Sequence, residues 1–458
     1  PTMRDTLRRI GISEVEFLRS CDASFKQGSQ FINWHRGQGE SYYHPFSAPN
    51  GYPNINQAAH WQAAHSDISF GDAVCPQGRV CDRGLAPKKP QTPEYAFVLN
   101  YGYHLNAGKF VELLQHHCVD KLGVEHRLGH VEEIVAADNG DIAALQLASG
   151  EKITGDLFVD CTGFAALLIG EHYNIPFISQ RDYLFNDTAL AVQAEYVTED
   201  APIASVTKAT AQTAGWIWDI ALPSRRGIGH VYSSQHTSRE KAEEELAAYL
   251  KADPTLAEAQ PSPRKIDFQP GHRETFWHKN CVAVGVSAGF VEPLEASALI
   301  LIEKSAEWIS EQLPADSAAM RVVARRFNDI TRQHWRAVVG FLKLHYVLTE
   351  RTDSEYWRDH RETESVPEDL QESLSLWRTQ VPWLYESNYR IELFSSVSLQ
   401  YVLYGMEFVT AINDSRHRQW KRDAKIADRL ISENTVQAET YIASLPTNRD
   451  LLDRVRRK

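Results

Sequence analysis

Apolar residues first recur at helical spacing. In TMRDTLRRI, Met3, Leu7 and Ile10 sit among charges and predict a helix ending at Gly11. A second short helix is expected from Ser13, where Glu16 completes a capping-box pattern and Phe17 supplies the apolar face. The spacing then shortens to two: CDASFKQGSQFINWH alternates around Phe25, Phe31, Ile32 and Trp34 and reads as strand. Residues 36–94, rich in Gly, Pro, Asn and aromatics, show no sustained period and are expected as irregular segments over a pocket or surface.

Helical spacing returns over residues 106–122. Short strands are then expected around Val124, over 131–136 and over 142–147, with Asp138-Asn139-Gly140 at a hairpin turn. DLFVDCTGF predicts a buried strand ending at Thr162-Gly163, where a small residue lets a cofactor or backbone come close, although a tight turn alone would also explain the glycine. Alternating runs over 190–234 predict antiparallel strands, and a charged helix follows near 236–250. KNCVAVGVSAGFVEPLEASALILIEKSAEWI passes from an apolar strand through Gly285 and Gly289 into a long helix starting near Pro293 or Leu294. From residue 317 the pattern is predominantly helical, and no fixed period repeats along the chain.

With 458 residues, of which 43% are hydrophobic and 24% charged, the chain supports a large buried core. A formal charge of -12 disfavours a nucleic-acid partner, no apolar run is long enough to span a membrane, and six scattered cysteines fit a reducing cytoplasm. Histidines such as His60, His65 and His104 show no metal-ligand spacing, so no metal is expected. Gly285-Val-Ser287-Ala-Gly289 matches the nucleophile-elbow expression, but Phe290, Val291 and Glu292 separate it from the expected helix, which argues against a hydrolase. Trp216 and Trp218 share one strand face and either wall a planar pocket or form a core stripe. Lys26 is a candidate polarising cation and Glu295 a candidate carboxylate in a first helical turn; either residue alone also fits a structural role.

The ordered set CDASFKQGSQFINW, YYHPF, YGYHLNAGKF, DLFVDCTGF, GWIWDIAL, RRGIGHVYSS and NCVAVGVSAGFVEPLEASAL closely resembles the flavin-dependent halogenase family, tryptophan halogenase-like, over nearly the whole chain. W-x-W-x-I at Trp216–Ile220, FKxG around Lys26 and FVEPLE ending at Glu295 are the most specific marks. The resemblance implies an α/β FAD-binding fold of the flavin-monooxygenase type, with an antiparallel substrate-side sheet and a helical C-terminal region. Residues 1–180 are expected to form one part of the FAD-binding domain, with pocket loops at 36–94, and 271–310 a second part carrying the halide site. Residues 181–270 would form the substrate-side sheet and 311–458 the helical region. Family members usually begin with a strand and a G-x-G-x-x-G phosphate loop; this sequence starts at a point after that loop, so both are expected ahead of it in the natural protein.

The implied chemistry is halogenation of an electron-rich, indole-like aromatic using reduced FAD, oxygen and chloride or bromide. Hypohalous acid would be guided to Lys26, which holds it by hydrogen bonding or becomes a haloamine, while Glu295 orients it, stabilises the ring cation or accepts its proton. Thr162, Gly163, Gly285, Gly289, Phe290 and Pro293 match the cofactor side, Ser297 and Ala298 the halide position, and His44, Phe46, Trp216 and Trp218 the substrate pocket or tunnel. The segment Glu295-Ala-Ser-Ala stands where free-tryptophan enzymes have Glu-Ser-Thr-Gly, and SVSLQYVLYGMEF lacks their tyrosine-rich amino-acid clamp. The chain therefore resembles a branch not specialised for free tryptophan, with a small aromatic, free or carrier-tethered, as substrate. A separate flavin reductase and a homodimer are further expectations. An aromatic hydroxylase and a non-catalytic flavin- or ligand-binding homologue are the alternatives.

Overall fold

A computed structural model of the chain describes residues 2–257, 261–386, 393–411 and 417–457. The opening helices form as the spacing predicts. They are α1 (Thr2–Ile10), which buries Leu7, and α2 (Glu14–Ser20), whose Ser13 cap accepts the Glu16 N–H at 3.0 Å. The alternating segment divides into β1 (Ser24–Lys26) and β2 (Gly28–Ile32), and β3 (Ser41–Pro45) runs antiparallel to β2. Gly28 is required at the division: a side chain there would meet the His44 carbonyl and the Pro45 Cα closer than 3 Å.

Residues 36–94 are more ordered than their composition suggests, holding β3 and three short helices, α3 (Ala58–Ala64), α4 (Phe70–Val74) and α5 (Gln77–Asp82). Their apolar side chains are recruited by distant partners; Trp61 and Phe70, for example, pack on Tyr404. β4 (Gly102–His104) then pairs with β1, and α6 (Ala107–His116) follows, continued by a wider π-type turn to Lys121. No strand forms at Val124. β5 (Val131–Ala136), β6 (Ile142–Leu147) and β7 (Lys152–Thr154) make a small antiparallel sheet.

The remaining strands fall in three sheets, the largest of them shared with β2 and β3. β8 (Phe158–Asp160) ends at the Thr162-Gly163 turn, and β9 (Phe177–Ser179) leads to four long strands, β10 (Thr188–Glu195), β11 (Thr207–Gln212), β12 (Gly215–Ala221) and β13 (Arg225–Tyr232). After α7 (Arg239–Ala252) come β14 (Arg264–Asp267), β15 (Gly271–Arg273), β16 (Trp277–His278), β17 (Cys281–Ala283) and β18 (Gly289–Phe290). The largest sheet among the described residues has the order β14-β10-β13-β12-β11-β2-β3, antiparallel except where β2 runs parallel to β11. The expected boundary at residue 180 therefore does not divide the sheets: β2 and β3 lie in the same sheet as β10–β14. β17 pairs in parallel with β8, the signature of an α/β cofactor layer.

The C-terminal third is helical, with α8 (Ser297–Glu311), the 31-residue α9 (Ser317–Val347), α10 (Glu355–Asp359), α11 (Glu368–Trp377), α12 (Ser396–Gly405), α13 (His417–Ser444) and α14 (Asn448–Arg457). One face of α9 carries Phe327, Trp335, Val338, Leu342 and Tyr346 into a core shared with Phe31, Trp34 and Trp216. Among the described residues no helix is long and apolar enough to cross a membrane.

Candidate active site

Lys26 ends β1, and the backbone beyond it is pinned on both sides. The Gln27 N–H donates to the Ser205 carbonyl at 2.6 Å, and the Gln27 carbonyl accepts from the Phe46 N–H at 2.9 Å. The second bond brings the Phe46 ring to 5.6 Å from the Lys26 Nζ. The ammonium is buried, and burial lowers its pKa to about 8 although Glu295 pulls the other way. His104, opposite Ser24 across the β1–β4 pair, is held well below its ordinary pKa, by burial first and then by the Lys26 charge.

Glu295 is presented by strained backbone. Glu295 and Ala296 both occupy the left-handed region, at φ 61° and 53°, within the short turn Leu294–Ala296 that leads into α8. The expected continuous helix is thus kinked at the carboxylate. Burial opposes ionisation of Glu295, but His44 and His345 more than offset it and hold the group well below the usual carboxylate range. Both imidazoles reach the same oxygen, Oε1: His44 Nδ1 at 2.7 Å and His345 Nε2 at 3.2 Å. Oε2 has no hydrogen bond among the described residues.

The hydrogen bonds also count protons. His345 Nδ1 lies 2.9 Å from the Phe341 carbonyl, which only accepts, so Nδ1 carries hydrogen. Its Nε2 bonds Glu295 only if the pair holds one proton more than a neutral imidazole beside a carboxylate. His44 is held at both ring nitrogens, Nδ1 by Glu295 Oε1 and Nε2 by Ser398 Oγ at 3.0 Å. The buried Tyr42 hydroxyl has no partner among the described residues; burial and then the Glu295 charge raise its pKa. Sequence reasoning passed over His345, because it sits in an aromatic helix stripe, and Tyr42, which looks like strand core. The Phe341-His345 spacing of four residues was the available signal for one helix face.

Trp216 and Trp218 do share a face, with ring centroids 6.4 Å apart. The fully buried Trp216 donates its Nε1–H to Glu292 Oε2 at 3.3 Å, and Trp218 lies over Gly229, where any Cβ would strike the indole. Glu292 also accepts from Tyr346 Oη at 2.6 Å and from the Asn186 amide, yet burial raises its pKa. Sequence reading had not singled out this carboxylate.

At the carboxyl end of β8, Asp160 accepts from Thr162 N–H and Oγ1 and from the Leu168 and Ile169 N–H groups, fixing the turn from within. Gly163 and Gly285 have φ of 69° and 76°, and a Cβ on Gly163 would meet nothing within 4 Å. The exposed Phe164 packs edge-to-face on Phe290. Gly289 is small for another reason: a Cβ would collide with Gly271, His272 and Trp335. Ser287 donates to the Asp160 and Val284 carbonyls, a structural role that removes the hydrolase reading. Ser297 and Ala298 open α8, whose cap residue Ala296 offers no side-chain hydrogen bond. The positive φ values fall at 295 and 296, not at 298, so glycine is not needed where the expected motif carries it.

A parallel β8–β17 pair ending in an open glycine turn, beside an antiparallel sheet and a helical layer, gives a mixed α/β fold with the architecture of the FAD-binding flavin-monooxygenase type. The comparisons with known proteins narrow this class. A family model described as tryptophan halogenase matches residues 1–421. Tryptophan 6-halogenase SttH of Streptomyces toxytricini is 32% identical over 398 residues, 81% of this chain and 74% of that protein. The crystal structure of a tryptophan halogenase from Shewanella frigidimarina superposes with a TM-score of 0.94 at 46% identity, covering 100% of this chain and 87% of that one. BrvH, a flavin-dependent halogenase from Brevundimonas sp. BAL3, gives 0.87 at 32% identity over 99% and 90% of the two chains. The chain belongs to the flavin-dependent tryptophan halogenase family, and it is an enzyme of that kind.

Proposed function

We propose that this enzyme halogenates an electron-rich, indole-like aromatic at Lys26 and Glu295, using hypohalous acid made from bromide or chloride. The observation that carries the reading is a buried lysine electrostatically linked to a buried, ionised carboxylate and set among aromatic rings. FAD, bound in reduced form with oxygen and halide, supplies the hypohalous acid. Thr162, Gly163, Gly285, Phe290 and Pro293 would hold its flavin end, an assignment supported by the open glycine turn beside Phe164; Gly289 would act through packing. The N–H groups of Ser297 and Ala298 would hold the halide.

Below about pH 8 Lys26 is an ammonium, which donates a hydrogen bond to the hypohalous oxygen and polarises the oxygen–halogen bond. The ring forms its carbon–halogen bond as the oxygen–halogen bond breaks, and the departing hydroxide takes a proton from Lys26 and leaves as water. Glu295 Oε2 accepts the ring proton, and its return to Lys26 closes the cycle. His44 and Phe46 would face the substrate, and Trp216 and Trp218 would keep it from the flavin. The hydroxyls of Tyr401 and Tyr404 on α12 are spent on the Ser47 carbonyl and Thr410, which supports an aromatic lacking the amino-acid head of free tryptophan. A separate reductase would supply reduced FAD, in the cytoplasm.

The test is mass spectrometry of products from the full-length protein given FAD, a flavin reductase, bromide and an indole panel. The bromine isotope doublet is expected and should vanish in Lys26→Ala. Oxygenated products alone would establish the hydroxylase reading instead.

A further inference from the structure

His60 and His65 show no metal-binding spacing in sequence, yet the fold brings them together with a residue from the other end of the chain. Each Nε2 lies 2.7 Å from the same oxygen, Asp428 Oδ1, and the three atoms all fall within 4.8 Å of one another. We propose that His60, His65 and Asp428 bind one divalent transition-metal ion of the zinc type, which ties α13 to the helices packed behind the active site.

The two imidazoles are placed by local structure that does not depend on Asp428. His60 lies on α3, and His65 caps that helix with its N–H donating to the Trp61 carbonyl at 2.8 Å. The chain then turns tightly: Ile68 N–H donates to the His65 carbonyl at 3.1 Å and Trp61 Nε1 to the Ile68 carbonyl at 2.7 Å. The result is two imidazole rings with centroids 5.4 Å apart and both Nε2 atoms turned to one point.

The donor set is two nitrogens and one carboxylate oxygen, which suits zinc, copper, nickel or cobalt and not magnesium or calcium. Metal–ligand bonds of roughly 2.0–2.2 Å require the carboxylate to draw back slightly from both nitrogens. Asp428 can do so because its side chain is half-exposed, and its open side leaves room for water to complete the coordination. In the metal-free form each Nε2 donates hydrogen to Asp428, and on metal binding that hydrogen moves to Nδ1. Neither Nδ1 is tied by a hydrogen bond among the described residues or sealed from water, so the exchange costs the fold nothing.

Such an ion would join residues more than 360 positions apart in the chain, closing a long loop. α13 packs on α3, α4 and α5. Phe70 of α4 in turn touches Tyr401 and Tyr404 of α12, the helix whose Ser398 holds His44. The ion would therefore brace the wall behind the candidate active site without touching the chemistry.

The test uses the full-length protein stripped with a chelator and titrated calorimetrically with zinc chloride alone. One saturable ion per chain is expected, with a rise of a few degrees in Tm. Cobalt substitution should give the visible absorption bands of a low-coordinate nitrogen–oxygen site. His60→Ala and Asp428→Asn should each weaken zinc binding by about tenfold or more, and His60→Ala/His65→Ala should abolish it. Absence of saturable zinc binding overturns the proposal. So does undiminished binding in the double variant or in Asp428→Asn, the latter a surface change that leaves the fold intact.

Discussion

Glu292 and Glu295 lie three residues apart in one short motif, both with buried carboxylates, and differ in almost every other respect. Glu292 accepts from Trp216, Tyr346 and Asn186, so both its oxygens are occupied, and burial nonetheless raises its pKa. Glu295 crowds two imidazoles onto one oxygen, leaves the other without a hydrogen bond among the described residues, and is held low. The difference arises in the backbone. Pro293 ends the extended segment, and two left-handed residues then turn Glu295 toward His44 and His345. A carboxylate with both oxygens engaged is a strut; one with an open oxygen and a proton-bearing neighbour can exchange protons.

The contrast is broken most severely at Glu295. Glu295→Gln should lower kcat for halogenation by about 10²–10³-fold, because the amide oxygen still accepts from His44 but the proton acceptor is gone. His345→Gln, which cannot carry the extra proton, should show a smaller loss of kcat with KM little changed. Steady-state kinetics on both variants check this pair. A pH profile of kcat/KM is next: halogenation should fall as the Lys26 ammonium is lost through about pH 8. A rise across the same range would mark the neutral amine as the working form. The stability sign is opposite, since the unfolded chain holds that proton more tightly and the cost of burying it is relieved from about pH 8 toward 10.5.

Glu292→Gln should act on stability, costing about 1–3 kcal/mol in chemical denaturation by disturbing buried hydrogen bonds, with kcat within a few-fold of the parent. The smallest effect separates the two carboxylates by acid alone. Glu295, depressed when folded, contributes stability above the ordinary carboxylate range and loses it as pH falls below that range; Glu292, raised when folded, sheds a burial penalty on the same path. The stability gap between parent and Glu295→Gln should therefore narrow on acidification, and that between parent and Glu292→Gln should widen.

Local chemistry made several elements legible in the sequence. The Ser13 cap, the hairpin at Asn139-Gly140 and the shared face of Trp216 and Trp218 follow from neighbours a few residues away. The family motifs supplied Lys26 and Glu295. What escaped was written in distant contacts: the helices within 36–94, packed by residues beyond 400, and His345, which means nothing until the fold places it beside Glu295. Glu292 was in plain view, but only the indole of Trp216 shows what it holds.

The parallel pairing of β2 with β11 has a consequence for how the protein is made. Trp34, just beyond β2, is anchored to the Ala209 carbonyl across 175 residues of chain, and Lys26 sits immediately before that strand. Contacts this remote close a long loop before they gain anything in return, which makes them intrinsically slow to form. The strand next to Lys26 therefore gains its parallel neighbour only once residues 207–210 have left the ribosome and reached β2, so the burial of the amine is tied to a long-range pairing.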